Sequence, residues 1–198
     1  MPFILASNNS AKTQEIAILA QEMGQKIINY RELSNQKLSF PAESTNSQRH
    51  NALTKARFIH QAFPDEYVLA DDTGLYLDAY PQRFGVVTAR EFKEKGIIGT
   101  QAEQEYILSL YQPGQDRSAC LLAVMALITP SGQELLAWGK GGVRIADNIR
   151  GGQWLDGLDN ILEAENGLTL SEMSLEEVVG YHDRSRALAT LLKALPKG

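Results

Sequence analysis

The chain has 198 residues, of which 43% are hydrophobic and 22% charged, the composition of an ordinary globular protein. Its formal net charge of −5 argues against a general binder of nucleic acids or membrane surfaces. No apolar run approaches the ~20 residues of a membrane span, and the start of the chain lacks the basic leader of a signal peptide. The composition therefore predicts a cytoplasmic protein, and the single cysteine, Cys120, excludes an internal disulfide.

Hydrophobic periodicity and turn residues predict helices and strands that are interspersed along the chain. In chain order these are a strand over 3–7, a helix over 12–23, a strand over 26–30, a helix over 50–63, a strand over 67–71, a helix over 101–111 with Thr100 as its N-cap, strands over 119–129, 133–138 and 143–145, a short helix after Ser174, and a last helix from its cap Asp183 to about Leu195. A turn at 130–132 makes two of the strands a hairpin, so the sheet is mixed. The predicted fold class is α/β or mixed α+β, in one domain with no linker signal.

The most informative segment is 68–75, where an apolar run ends in Asp71 and Asp72 and continues as Thr73-Gly74-Leu75. Neighbouring carboxylates repel each other unless a cation or a proton lies between them. Hard oxygen ligands of this kind suit Mg²⁺. The segment therefore predicts a Mg²⁺ site at the edge of a sheet, and a strand followed by an ordinary Asp/Gly turn is the alternative.

Three further segments are candidates for anion binding. The polar turn over 7–12 leads into a helix start and ends in a lysine, although it lacks the glycines of a Walker loop. Lys55 lies at the edge of the inner face of the second predicted helix. Arg184 and Arg186 lie in the first turn of the last helix, where positive charge opposes the helix dipole and favours a nearby phosphate or carboxylate. The structural alternatives are a plain βα turn, a surface lysine and a first turn balanced by Asp183.

For two other residues the sequence allows more than one role. Trp154, in a glycine-rich stretch, could stack on a base or could fix its loop to the core. His182 precedes the last helix and is a helix cap, a surface residue or a substrate contact.

Taken in order, these segments resemble the inosine triphosphate pyrophosphatase family, whose members hydrolyse inosine, deoxyinosine and xanthosine triphosphates to monophosphate and pyrophosphate. The similarity covers nearly the whole chain, and the segments that carry it are 7–12, 51–56, 71–75, 84–90, 157–159 and 183–188. The resemblance implies an elongated mixed sheet with flanking helices, in two lobes around a nucleotide cleft. It also implies a homodimer and a purine nucleoside triphosphate as substrate.

The resemblance assigns roles to individual residues. Asp72 would bind Mg²⁺ or Mn²⁺ and activate the attacking water, with Asp71 in support, and His50 stands where the family has a second metal ligand, a glutamate. The implied substrate contacts are Ser7, Asn8, Asn9, Lys12, Lys55, Thr73, Gly74, Trp154, Asp159, His182 and Arg184. We expect Asp72, Lys12 and Arg184 to surround one cavity.

The chain departs from the family pattern mainly where the base is bound. Besides His50, the departures are Asp156 in place of a stacking phenylalanine, Val178 in place of a lysine, and Asp183 in place of a histidine. An imidazole prefers softer ions than Mg²⁺, so His50 predicts relatively better activity with Mn²⁺. Three functions stay open: removal of non-standard purine nucleotides, nucleotide binding without hydrolysis, and a Maf-type pyrophosphatase for modified or pyrimidine nucleotides.

Overall fold

A computed structural model describes residues 1–34, 36–151, 155 and 157–195. In chain order its helices and strands are β1 (Phe3–Leu5), α1 (Ser10–Glu22), β2 (Ile27–Asn29), α2 (Arg31–Ser34), α3 (Gln48–His60), β3 (Val68–Leu77), α4 (Thr88–Glu94), α5 (Thr100–Ser109), β4 (Ala119–Ile128), β5 (Glu134–Gly141), β6 (Arg144–Ile145), a 3-10 helix (Gly157–Asn160), β7 (Leu162–Glu163), a second 3-10 helix (Leu170–Glu172), α6 (Leu175–Val178) and α7 (Asp183–Ala194). Among the described residues, no helix combines the length and apolar character needed to cross a bilayer.

Five strands form one mixed sheet in the order β2-β1-β3-β4-β5. The strand β1 is parallel to both of its neighbours, whereas β3, β4 and β5 are mutually antiparallel. The strands β6 and β7 form a separate antiparallel pair. This architecture confirms the mixed α/β class, and the division into two lobes stays a prediction.

The central strand β3 sends alternate residues to two different cores. Leu69 packs with Ile16 of α1 and Leu188 of α7. Ala70 packs on the other side, with Ala52 of α3 among its neighbours. The two faces of the sheet are therefore covered by different helices, and successive residues of β3 meet different partners.

Two predicted strands end later than the sequence suggests. The strand that contains Asp71 does not stop there, because β3 continues to Leu77 and pairs with β4 along its whole length. The strand predicted to end at Trp138 likewise continues to Gly141, through glycines that the pattern treats as an interruption. The acidic pair consequently lies in the middle of a strand instead of at the edge of the sheet.

Two predicted caps are wrong by one residue each. Thr100 is the first residue of α5, and the N-cap is Gly99, without a side-chain hydrogen bond. Asp183 is the first residue of α7, and the N-cap is His182. The capping box of Ser174 and Glu177 is confirmed, whereas the helices α2 and α4 are not predicted at all.

Candidate active site

Asp71 is a buried carboxylate neutralised by two cations from distant parts of the chain. Its Oδ2 atom lies 2.9 Å from Lys12 Nζ and 3.4 Å from Arg184 Nε, and Thr73 Oγ1 donates a hydrogen bond of 2.9 Å to Oδ1. Burial alone would raise the pKa of Asp71, but the charges of Lys12 and Arg184 outweigh it and hold that pKa well below its usual range. Asp71 is therefore a permanently charged anchor for both cations.

Asp72 points to the opposite face of the sheet, toward α3. Lys55 Nζ lies 3.0 Å from its Oδ1 atom, and Asn51 Nδ2 donates to Oδ2 at 3.3 Å. Burial raises the pKa of Asp72 by more than Lys55 and Lys12 lower it. Asp72 is thus the weaker acid of the pair, and a weaker acid is the better proton acceptor near neutral pH.

Lys55 joins three oxygen atoms and is mostly buried, so it is not the surface lysine of the alternative interpretation. Besides Asp72, it donates to the backbone oxygen of Asp71 at 2.7 Å and to Glu43 Oε1 at 3.1 Å. Burial lowers the pKa of Lys55, but the surrounding carboxylates outweigh this and raise it. Sequence reasoning missed Glu43, although it is the one charged residue between Ser39 and Ser47.

Asp72 and Glu43 are a chemically suitable pair for a divalent metal ion. Both carboxylates contact the same ammonium group, and Mg²⁺ usually takes one or two carboxylates and completes its shell with water and phosphate. His50, the second predicted ligand, is exposed, and its Nε2 atom lies 3.5 Å from Thr54 Oγ1. Within the described chain, no ion pair joins His50 to Asp72. The structure therefore brings Asp72 together with Glu43 and not with His50.

The polar turn before α1 is occupied by local hydrogen bonds. Asn9 is the N-cap, and its side chain accepts a hydrogen bond of 3.0 Å from the Lys12 backbone N–H. Ser7 Oγ accepts from the Asn9 N–H at 3.1 Å. Asn8 points away from this turn and donates to the Leu38 oxygen at 2.8 Å. This part of the prediction has the geometry of an ordinary βα turn, with Lys12 projecting from it.

A cleft of about 790 Å³ lies beside α1, β3, α5 and α7. The predicted site residues on its lining are Asn9, Lys12, Thr73, Gly74, Asp159 and Arg184, and those not on its lining are Ser7, Asn8, His50, Lys55, Asp71, Asp72 and His182. Trp154 and Asp156 fall outside the described residues. Lys12 and Arg184 thus share a cavity as expected, while Asp72 lies off its wall, close enough to Lys12 for that lysine to lower its pKa.

His182 is a completely buried ring placed between acids on both of its nitrogen atoms. Nδ1 lies 3.0 Å from Asp183 Oδ1, whereas Nε2 lies 3.4 Å from Glu15 Oε1 and 3.6 Å from Asp159 Oδ1. Burial lowers the pKa of His182, but these carboxylates outweigh it and raise the pKa to about 9. The ring is therefore protonated at neutral pH. The Arg184 backbone nitrogen lies 3.2 Å from Nδ1, and its N–H can donate a capping hydrogen bond there only when the ring is neutral.

Glu15, Asp159 and His182 together also have the spacing of a metal site, since their ligand atoms lie within 4.8 Å of one another. A protonated ring has no lone pair to give a metal, and Arg184 already forms an ion pair with Glu15. The charge of this group is thus balanced by cations of the chain itself.

Comparison with known proteins identifies the family of the chain. The model of the Ham1 family matches residues 3–194. A dihydroneopterin triphosphate diphosphatase of Limosilactobacillus reuteri is 34% identical over 98% of this chain and 97% of its own length. A dITP/XTP pyrophosphatase of Symbiobacterium thermophilum is 32% identical over 98% of this chain and 94% of its own length.

Two solved structures have the same fold. The Ham1 protein of Staphylococcus aureus superposes with a TM-score of 0.73 at 26% identity, covering 98% of this chain and 97% of that chain. A HAM1 protein of Coxiella burnetii superposes with a TM-score of 0.71 at 27% identity, covering 98% of this chain and 100% of that chain.

Proposed function

The chain belongs to the Ham1 family, and from this premise we propose that it is a metal-dependent pyrophosphohydrolase of non-standard purine nucleoside triphosphates. It would convert them to the monophosphate and pyrophosphate. The observation that carries the proposal is the pair of cations, Lys12 and Arg184, that meet on the wall of the cleft beside the acids of β3. Several relatives named dITP/XTP pyrophosphatase support the reaction class.

Lys12 and Arg184 hold the triphosphate. Both are bound to carboxylates of the chain, Asp71 and Glu15, and this keeps their charged ends at the cleft before substrate enters. The phosphates are therefore met by positions fixed in advance, which is how most phosphoryl-transfer enzymes lower their barrier.

Asp72 accepts a proton from the attacking water. The water oxygen forms a bond to the α-phosphorus, the bond from that phosphorus to the bridging oxygen breaks, and pyrophosphate leaves with the electron pair. A divalent ion held by Asp72 and Glu43 would neutralise charge on the phosphate oxygens and lower the pKa of the water. The raised pKa of Asp72 suits it to this role, and Asn51 orients its second oxygen.

Substitution of Asp72 tests the proposal. We expect Asp72→Asn to lower kcat by at least ~100-fold, the scale of losing one catalytic group, in a pyrophosphate-release assay with ITP, dITP and XTP and with Mg²⁺ or Mn²⁺. Asp65→Asn, the same change at an exposed residue, is the control and should keep full activity. Activity of Asp72→Asn close to that of the unmodified protein would refute the assigned role.

Two alternatives are separated by the same assay. Tight nucleotide binding without pyrophosphate release would select a binding protein that has lost hydrolysis. Dihydroneopterin triphosphate, named in the Limosilactobacillus reuteri relative, is a second candidate substrate for the same reaction. The Ham1 match favours both over a Maf-type enzyme.

The homodimer and the cytoplasmic location implied above remain proposals. Light scattering checks the first, because a dimer has twice the 21.9 kDa mass of the chain.

A further inference from the structure

Asn51 is a buried amide that connects the two candidate metal ligands, Asp72 and Glu43. It lies on the inner face of α3 and is only 2% exposed. Its Nδ2 atom donates to Asp72 Oδ2 at 3.3 Å and to the backbone oxygen of Ser44 at 3.1 Å. Its Oδ1 atom accepts from the Ser44 N–H at 2.7 Å. The amide is therefore satisfied by β3 on one side and by the neighbour of Glu43 on the other.

Glu43 depends on such contacts because its segment has no regular structure of its own. Over residues 36–47, all of which the structure describes, there is neither a helix nor a strand. Each peptide unit is planar, so an amide that pairs with both the N–H and the carbonyl group of Ser44 fixes the peptide planes on both sides of that residue. One of these planes contains the Cα atom of Glu43. The hydrogen bonds of Asn51 thus fix where the Glu43 side chain starts relative to Asp72.

Two other side chains contact Glu43, but they act differently. Lys55 Nζ contacts the carboxylate atoms that a metal ion would need, Glu43 Oε1 and Asp72 Oδ1. Arg90 donates to the Glu43 backbone oxygen at 2.8 Å from an exposed position, and among the described residues no hydrogen bond or ion pair joins it to Asp72. Asn51 touches neither the Glu43 carboxylate nor Asp72 Oδ1, so its hydrogen bonds can persist when an ion is bound there.

We propose that Asn51 is a positioning residue that sets the affinity of this site for a divalent ion, by holding the segment of Glu43 against Asp72. Mg²⁺ demands near-ideal ligand geometry, and Mn²⁺ takes the same oxygen ligands, so affinity depends on how well the ligands are placed in advance. Replacing a residue that orients metal ligands typically costs about 10- to 100-fold in metal affinity. The inference rests on the proposed function, because it needs the metal site at Asp72 and Glu43.

The Kd for Mn²⁺ alone, measured by calorimetry without nucleotide, provides the first test. Asn51→Leu keeps the approximate shape of the side chain without its hydrogen bonds, and we expect Kd to rise about 10- to 100-fold. Asn51→Ala repeats the measurement if leucine prevents folding, which thermal unfolding checks. An unchanged Kd in a folded variant would overturn the proposal.

The matched control is an asparagine in the same segment as Glu43. Asn46 is exposed, and its hydrogen bonds go to the Ser44 hydroxyl and not to the backbone groups that Asn51 holds. We therefore expect Asn46→Leu to keep the Mn²⁺ Kd of the unmodified protein. An equal rise of Kd in both variants would mean that any change near the segment weakens the site, and would contradict a specific role of Asn51.

A double-mutant cycle tests whether Asn51 acts through Glu43. Glu43→Gln removes the charged ligand, so the further change Asn51→Ala should then raise the Mn²⁺ Kd by no more than about 2-fold, the error of such a cycle. Full additivity of the two changes would mean that Asn51 acts on Asp72 alone and would contradict the proposal.

Kinetics with ITP separates this role from a contact with substrate. Asn51→Ala should raise the Mn²⁺ concentration for half-maximal rate but leave KM for ITP at saturating Mn²⁺ unchanged, because Lys12 and Arg184 are intact. A raised KM with an unchanged Mn²⁺ Kd would assign Asn51 to the substrate and overturn the proposal.

Failure of the inference and failure of the proposed function give different results. A protein that binds Mn²⁺ but hydrolyses no nucleotide would refute the proposed function, and the Kd values of the Asn51 variants would still decide the inference. An unmodified protein that hydrolyses ITP without binding Mn²⁺ would overturn the inference together with the metal site, and would leave the reaction class intact.

Discussion

Asp71 and Asp72 are adjacent in sequence but belong to two separate charge networks. Alternate residues of a strand point to opposite faces, so Asp71 meets the cations of α1 and α7 while Asp72 meets Lys55 of α3. Their mutual repulsion is consequently relieved by different partners, and no ion between the two carboxylates is needed. The candidate metal ligands are instead Asp72 and Glu43, which both contact the ammonium group of Lys55.

Replacement of that ammonium group tests the assignment without an activity assay. Lys55→Met leaves Asp72 and Glu43 unpaired, and we expect the metal-free protein to lose about 2 kcal/mol in free energy of unfolding, less than for a fully buried pair because Glu43 is exposed. Mg²⁺ or Mn²⁺ should restore part of this loss, since the ion takes the place of the ammonium group. Thermal unfolding with EDTA and with each metal measures both effects.

The matched control lies on the same helix. Arg57 forms an exposed ion pair with Glu134, so Arg57→Met should cost no more than about 1 kcal/mol and should not respond to metal. A Lys55→Met protein whose unfolding is equally insensitive to metal would argue against the site between Asp72 and Glu43.

At the scale of elements, the buried acids beneath the cleft result from the close contact of α7 with β5. Gly139 and Gly141 lie on the same face of β5, and a Cβ at Gly139 would be 1.9 Å from the Asp183 oxygen. A Cβ at Gly141 would be 2.6 Å from the Asp183 nitrogen. The first turn of α7 therefore rests on bare strand backbone, and this buries His182 and Asp183.

Addition of one methyl group tests this contact. Gly139→Ala places the methyl against backbone atoms that cannot rotate away, and we expect the free energy of unfolding to fall by about 3 kcal/mol, the upper end of overpacking effects, measured by urea denaturation. Gly151→Ala is the control, because a Cβ there meets no atom of the described residues within 4 Å. Equal stability of the two variants would show that α7 can shift on β5.

At the scale of the whole molecule, local chemistry was predictable and long-range placement was not. The capping box at Ser174 and the strand over 119–129 follow from neighbouring residues, and the structure confirms both. The sequence also predicted anion binding by Lys12 and Arg184 from their positions near helix starts, and the structure places both on the lining of one cleft. The sequence could not show that both meet Asp71, since 113 positions separate Asp71 from Arg184.

The wrong predictions have a common physical origin. Polar residues and glycines were taken as strand ends, yet β3 continues through Asp71 because β4 pairs with it along ten residues. Likewise β5 continues through Gly139 because α7 requires a residue without a side chain there. In both cases tertiary contact overrides local propensity. The group of Glu15, Asp159 and His182 was missed for the same reason, because its members come from distant elements.

That group makes the stability of the whole protein depend on pH, because the ring of His182 links α1, the first 3-10 helix and α7. Its pKa is raised from 6.5 to about 9, so folding favours the protonated ring. The stabilisation is complete below about pH 6.5 and is lost as the pH rises through 9. Burial raises the pKa of Asp183 to about 6, so its own protonation change falls at lower pH.

We therefore expect the free energy of unfolding to fall between pH 7 and pH 10, and His182→Gln to flatten this part of the profile, since glutamine keeps polar contacts without a titrating charge. Urea denaturation at a series of pH values measures the slope. His50→Gln changes an exposed histidine and should keep the slope of the unmodified protein. A slope that survives in His182→Gln would mean that the imidazolium does not hold the three elements together.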